Sequence, residues 1–270
     1  ILSIEPSIAD RPDTLPVKSL RGEIEFRGLD FAYEGDGRAP ALRNISLTVP
    51  AGSSLGVVGP VGSGKSTLAS VIPRLYEIDD DRVFIDGIDI NRIPLGTLRS
   101  SIAVVPQESF LFSMSLAENI AYGLPFTESV SVEEAARRAQ LSTDLGELPN
   151  GFDTVVGERG VMLSGGQRQR TALARALALR PSILILDDTL SAVDARTEDA
   201  IQRELTEVFS GRTVVMVASR VSTVQNCDQI VVLEEGRVVE RGDHSTLVSQ
   251  GGLYSRLAQE QAAAPAGESA

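Results

Sequence analysis

One cysteine and one histidine in 270 residues exclude two common ways of bracing a fold. Cys227 alone closes no internal disulfide, and with His244 as its sole companion no zinc site of the Cys/His type can be assembled, so a reducing, cytosolic setting fits. Lysine is nearly missing too: Lys18 and Lys65 stand alone among 25 basic residues facing 37 acids, and the net charge is −12. A nucleic-acid partner, whose phosphates call for clustered basic side chains, is therefore not expected. No 18 apolar residues run together, and the opening Ile1-Leu2-Ser3-Ile4-Glu5 lacks a basic segment followed by an apolar one. This chain is expected neither to enter nor to span a membrane by itself. What is present, 42% hydrophobic residues, supplies an ordinary globular core.

Residues 1–20 carry Pro6, Pro12 and Pro16 among polar residues and read as an extended linker. Alternating apolar positions at Ile24/Phe26, Leu29/Phe31/Tyr33 and Ile45/Leu47/Val49 predict half-buried antiparallel strands in a small β subdomain. A buried strand over 54–58 then runs into a glycine-rich loop, and a helix is predicted from Ser66 to a break at Pro73. Further strands are expected at 83–85, closed by the turn pair Asp86-Gly87, and at 102–105. From 109 to about 148 the period becomes helical, with Ser131 and Glu134 forming a capping box ahead of a helix at 135–141. Beyond this helical insert, strands at 183–186, 214–217 and 230–233 alternate with helices at 165–179 and 194–209. That alternation implies a mainly parallel sheet covered on both faces. The low-complexity stretch 261–270 is expected to be disordered.

Three segments carry chemistry. In Gly59-Pro60-Val61-Gly62-Ser63-Gly64-Lys65-Ser66-Thr67 the glycines let backbone N–H groups curl around a phosphate, and the next helix points its positive end at it. Four apolar residues at 183–186 end in Asp187 at the carboxyl end of a strand, where ligands collect in open α/β sheets. Leu163-Ser164-Gly165-Gly166-Gln167 opens a helix rich in Ala and Arg and presents a second anion site at a helix N-terminus.

With Leu163 to Gln167 lying between the phosphate loop and the acid-ended run at 183–187, the three segments resemble the ATP-binding cassette (ABC) domain, and the likeness covers about 22–257. It implies an α/β fold: a P-loop NTPase (RecA-like) core with an antiparallel β subdomain and a helical subdomain at about 108–165, the whole domain filling 21–260. It implies that Lys65 reaches the β/γ-phosphates of ATP, that Ser66, Asp187 and Gln107 serve Mg²⁺, and that Tyr33 stacks on adenine. It also implies that Ser164 to Gln167 close over the γ-phosphate held by a second cassette, with Ser191-Ala-Val-Asp194 crossing the dimer. Thr154-Val-Val-Gly-Glu158-Arg-Gly160 is similar to an exporter segment that touches the coupling helices of a membrane domain, from which residues 1–20 would be cut. Singly, Tyr33 reads equally well as strand packing and Gln107 as a solvated loop residue.

Two positions depart from the family. Asp188 stands where it has a catalytic glutamate and Ser219 where it has a switch histidine. An aspartate falls roughly 1 Å short of a glutamate, and a misplacement of that size costs on the order of a hundredfold in rate. His244, in Gly242-Asp-His-Ser-Thr246, reads as a surface or cap residue and does not replace the missing histidine. The resemblance thus implies an exporter ATPase at the cytoplasmic face of the membrane, with a degenerate site of its own (Asp188, Gln107, Ser219) and a non-identical partner. Three other readings fit: a symmetric exporter with slow turnover, a binding module that never hydrolyses, and a soluble ATP-dependent clamp, though the long heptad arms of such clamps are missing.

Overall fold

The computed structural model describes residues 6–35, 39–124, 131–157, 160–189, 201 and 211–263. The loop at 191–194, the helix expected at 194–209, Glu158 and the residues from 264 onward lie outside this set.

Two sheets organise the chain. In the smaller, antiparallel sheet, β1 (Ile24–Phe31) pairs with β2 (Leu42–Val49) on one side and with β4 (Val83–Ile85) on the other, and β5 (Ile88–Asp89) closes a hairpin with β4. In the larger sheet, β3 (Ser54–Val58), β6 (Ile102–Val105), β7 (Ile183–Asp187), β8 (Thr213–Val217) and β9 (Gln229–Glu234) run parallel in the order β9-β3-β8-β7-β6. The antiparallel β10 (Arg237–Gly242) closes its edge beside β9.

β3 and β8 are apolar at almost every position and buried along their whole length, as strands covered on both faces must be. Alternate side chains of each strand then enter different cores. Leu184, Leu186, Val214, Met216, Ile230 and Val232 face one core with α5 (Gly165–Ala178). Ile183, Ile185, Val215, Val217, Val231 and Leu233 face the other, with α1 (Lys65–Val71) and the antiparallel sheet. On the first side sits the helical region: α3 (Leu116–Ala121), α4 (Val132–Arg138) and two single 3₁₀ turns at 145–147 and 151–153. α2 (Leu95–Ser101) leads into β6, and α6 (Val221–Val224), α7 (His244–Gln250) and α8 (Leu253–Ala263) complete the elements used below.

Several expectations shift. The first two apolar segments form one strand, β1, with register irregularities at Phe26, Leu29 and Phe31, and Tyr33 lies past its end. α1 starts at Lys65 and stops at Val71; Ile72, ahead of Pro73, keeps αR geometry, and the chain turns away at Arg74, which adopts φ +52°. The capping box at Ser131 is half formed. Its Oγ accepts from Glu134 N at 3.1 Å, but the Glu134 carboxylate is engaged by Arg137 and Arg138, which hold it down at about 2. With Ser131 as its N-cap, helix α4 begins at Val132 rather than 135, and it ends at Arg138, two residues before Gln140 takes φ +55°.

Residues 6–20 have no helix or strand, with bends at 7–8 and a turn at 12–13, and they are tied to the domain. Leu15 N donates to Arg92 O at 2.8 Å, Thr97 Oγ1 to Val17 O at 2.8 Å, and Leu20 is buried. At the other end α8 continues through Ala263, two residues past Gln261, in keeping with the high helix propensity of its alanines.

Candidate functional site: a nucleotide cleft

The phosphate loop leaves β3 at Val58 and enters α1 at Lys65. Gly59 (φ +149°) lies so close to β9 that a Cβ there would stand 2.0 Å from Leu233 O, and one on Gly64 (φ +100°) would stand 2.6 Å from Ala41 O. Both positions therefore require glycine. Ser63 Oγ is buried without a hydrogen-bond partner, the kind of orphaned hydroxyl that a ligand or ion accounts for. Val61 and Pro60 stand exposed at the loop's outer edge. Lys65 Nζ donates to Gly59 O and Pro60 O at 2.8 Å each, and burial holds this ammonium below the usual lysine range against the opposing pull of Asp188 and Asp187.

Above the loop opens a cleft of about 680 Å³ that also touches Tyr33, Arg43, Thr67, Glu235 and Gly236, a volume suited to a small-molecule ligand. The Tyr33 hydroxyl shares a 2.8 Å hydrogen bond with Thr67 Oγ1, and its ring meets Phe31 and Tyr76 edge to face at 5.1 and 5.3 Å. Glu235 and Gly236 were not predicted as site residues. They form the β9–β10 turn, at φ +48° and +77°, where Gly236 N donates to Ser63 O and Gly236 O accepts from Arg43 N. The only local signal for them is an acid-glycine turn pair between two apolar runs.

Ser66 and Asp187, 121 residues apart in sequence, are brought side by side: Ser66 Oγ donates to Asp187 Oδ1 at 2.9 Å. Burial pushes the Asp187 carboxyl above its ordinary value, and neighbouring Asp188 adds to this, whereas the Ser66 hydrogen bond and Lys65 oppose it. Hydroxyl and carboxylate oxygens next to a phosphate pocket are the donor set that Mg²⁺ takes, so the residues present fit that ion. Gln107 lies exposed two residues past β6, and among the described residues no hydrogen bond joins it to Ser66 or Asp187.

The two departures from the family pattern meet one another. Asp188 takes the left-handed φ of +44° with its N–H donating to Val217 O at 2.8 Å. Its Oδ1 then accepts from Ser219 Oγ at 3.1 Å and from Ser219 N at 3.4 Å.

Ser164 to Gln167 stand apart from this cleft and line no part of it. They build a complete capping box at the start of α5: Gln167 N donates to Ser164 Oγ at 3.2 Å, and Ser164 N donates to Gln167 Oε1 at 3.0 Å. Gly165 and Gly166 follow as the first helical residues. On this helix, Arg170 makes a two-pronged ion pair with Asp144, both side chains largely shielded from water. His244 is the first residue of α7, capped by Asp243, and its Nδ1 shares a 2.8 Å hydrogen bond with Tyr254 Oη. That is a packing role.

An ABC transporter family model matches residues 42–191. The uncharacterized ABC transporter ATP-binding protein YwjA of Bacillus subtilis (strain 168) is 44% identical over 261 residues, 97% of this chain and 45% of that protein. The ATP-dependent lipid A-core flippase of Escherichia coli (strain K12) is 46% identical over 248 residues, 91% of this chain and 42% of that protein. Among solved structures, a bacterial Atm1-family ABC exporter with ATP bound superposes with a TM-score of 0.89 at 39% identity, covering 97% of this chain and 46% of that one. The chain thus spans somewhat less than half the length of these relatives, and among its described residues no helix is long and apolar enough to cross a membrane. With its phosphate loop, capped Ser164 helix and acid-terminated strand in the expected order, the chain belongs to the ABC transporter family.

Proposed function

We propose that this chain is the ATP-binding and ATP-hydrolysing part of an ABC exporter at the cytoplasmic face of a membrane. In this reading its own site is weakened, and its Ser164 to Gln167 segment completes the site of a non-identical partner cassette. Lys65 and the loop amides hold the β/γ-phosphates, Tyr33 flanks the base, and Ser66, Asp187 and Gln107 hold Mg²⁺, which when bound neutralises phosphate charge. Asp188 is the group left to orient the attacking water, with Ser219 toward the γ-phosphate.

The observation that carries the weakened site is the contact between Asp188 Oδ1 and Ser219 Oγ, 3.1 Å apart. A carboxylate already short by one methylene is turned toward the loop that follows β8, and a water would have to draw it away. The detachment of Ser164 to Gln167 from the cleft supports their use in trans. For the coupling helices of the membrane domain, the exposed apolar side chains of Phe110, Tyr122, Val155 and Met162 offer a docking surface. Phe112 lies between Phe110 and Tyr122, 5.1 and 4.3 Å from their rings, and Arg175 ties the group to α5 by donating to Phe110 O and Asn119 O.

The test compares two variants in the full-length transporter with its partner. Ser164→Arg should abolish ATP hydrolysis and transport, because it blocks the partner's site, whereas Asp188→Asn should leave most of both. A larger loss from Asp188→Asn would overturn the asymmetric reading.

A further inference from the structure

We infer that Gln261, in the last turn of the C-terminal helix α8, is a positioning residue for Ser219 and thereby for the nucleotide site, an inference that rests on the role proposed above for Ser219. The Gln261 side-chain amide lies across the loop that follows β8. Its Nε2 donates to Ser219 O at 2.9 Å and its Oε1 accepts from Val221 N at 2.7 Å, so it grips the backbone on both sides of Arg220. Val221 N is the first donor of α6, which no residue of that helix can satisfy, and the preceding Arg220 makes no side-chain cap. The amide thus mimics a passing peptide unit, and the backbone that it fixes is that of Ser219, the residue proposed above to face the γ-phosphate.

The root of α8 is held elsewhere. Tyr254 is fully buried, its N–H and that of Leu253 donate to the Glu240 carboxylate on β10, and its hydroxyl meets His244. A helix anchored on β10 and α7 and gripping the Ser219 loop at its tip makes one connected path from the sheet's edge to Ser219. Gln261 itself is exposed, so losing its side chain removes little buried contact and should not unfold the domain.

The experiment uses the full-length transporter with the partner's hydrolytic site disabled, and measures single-turnover ATP cleavage and ATP affinity. Gln261→Ala should slow cleavage about fivefold, the size of one ordinary hydrogen bond, with affinity changed less than about twofold. Gln261→Glu separates positioning from simple helix capping. A carboxylate still accepts from Val221 N, and its charge suits a helix N-terminus, but it cannot donate to Ser219 O. Positioning predicts that Gln261→Glu is as slow as Gln261→Ala; capping predicts the wild-type rate and overturns the inference.

In a Ser219→Ala background, Gln261→Ala should cost less than about twofold, and an undiminished cost would show that it acts by another route. If Ser219→Ala slows cleavage while Gln261→Ala does not, this inference alone falls. If neither changes the rate, the role proposed for Ser219 falls with it.

Discussion

Replacing Asp188 by Glu and Ser219 by His together should raise the rate at which this chain's own site cleaves ATP by about a hundredfold. The figure comes from geometry. The Asp188 carboxylate rests 3.1 Å from Ser219 Oγ and 3.4 Å from Ser219 N. One added methylene carries the charge about 1.5 Å further along the side chain. A reacting group misplaced by roughly 1 Å loses about a hundredfold, or ~2.7 kcal/mol of barrier. The backbone at φ +44° lies in a region that Asp tolerates better than Glu, so a little added strain offsets part of the gain. Either change alone should gain less than about fourfold. In Asp188→Glu the Ser219 hydroxyl and N–H remain to hold the longer carboxylate, and in Ser219→His the carboxylate remains short. Groups in contact do not act additively, so the double variant should exceed the product of the singles by about 1 kcal/mol or more. Single-turnover cleavage in an assembly whose partner site is disabled reads this directly. A double variant no faster than the parent chain would refute the reasoning, leaving Asp188 as an adequate base and the symmetric exporter as the better account.

Lys65→Ala should weaken ATP binding about 30-fold, the ~2 kcal/mol of a charged hydrogen bond, in calorimetric titration; equal affinity would remove Lys65 from the phosphate site. Asp144→Ala strands the shielded Arg170 guanidinium and should lower unfolding stability by about 3 kcal/mol in denaturant titration, whereas a loss below ~1 kcal/mol would mean that water reaches this pair. Cys227 is 8% exposed, and burial with Asp228 alongside pushes its thiol up to about 12. A disulfide reagent at pH 8 should therefore label the native chain roughly a thousandfold more slowly than the unfolded one, and rapid native labelling would contradict that burial.

Local sequence was enough wherever the physics is local. Continuous apolar runs at Ser54–Val58 and Ile183–Asp187 are the mark of strands covered on both faces, and both strands formed with those limits or within one residue of them. Glycine spacing between Val58 and Lys65 needs one backbone shape, and the family resemblance carried the order of the motifs. The edge strand Arg237–Gly242 went unread because its side chains alternate only between exposed and half-buried, leaving no apolar period to detect. The Ser131 capping box could not be completed from spacing, since Glu134 had two arginines within closer reach. What tertiary structure alone decided are pairings between distant residues: Ser66 with Asp187, Gly236 with Ser63, Asp188 with Ser219, and Gln261 with Ser219. No periodicity encodes them, because each depends on how strand ends and turns from separate parts of the chain come to lie together once both faces of the parallel sheet are covered.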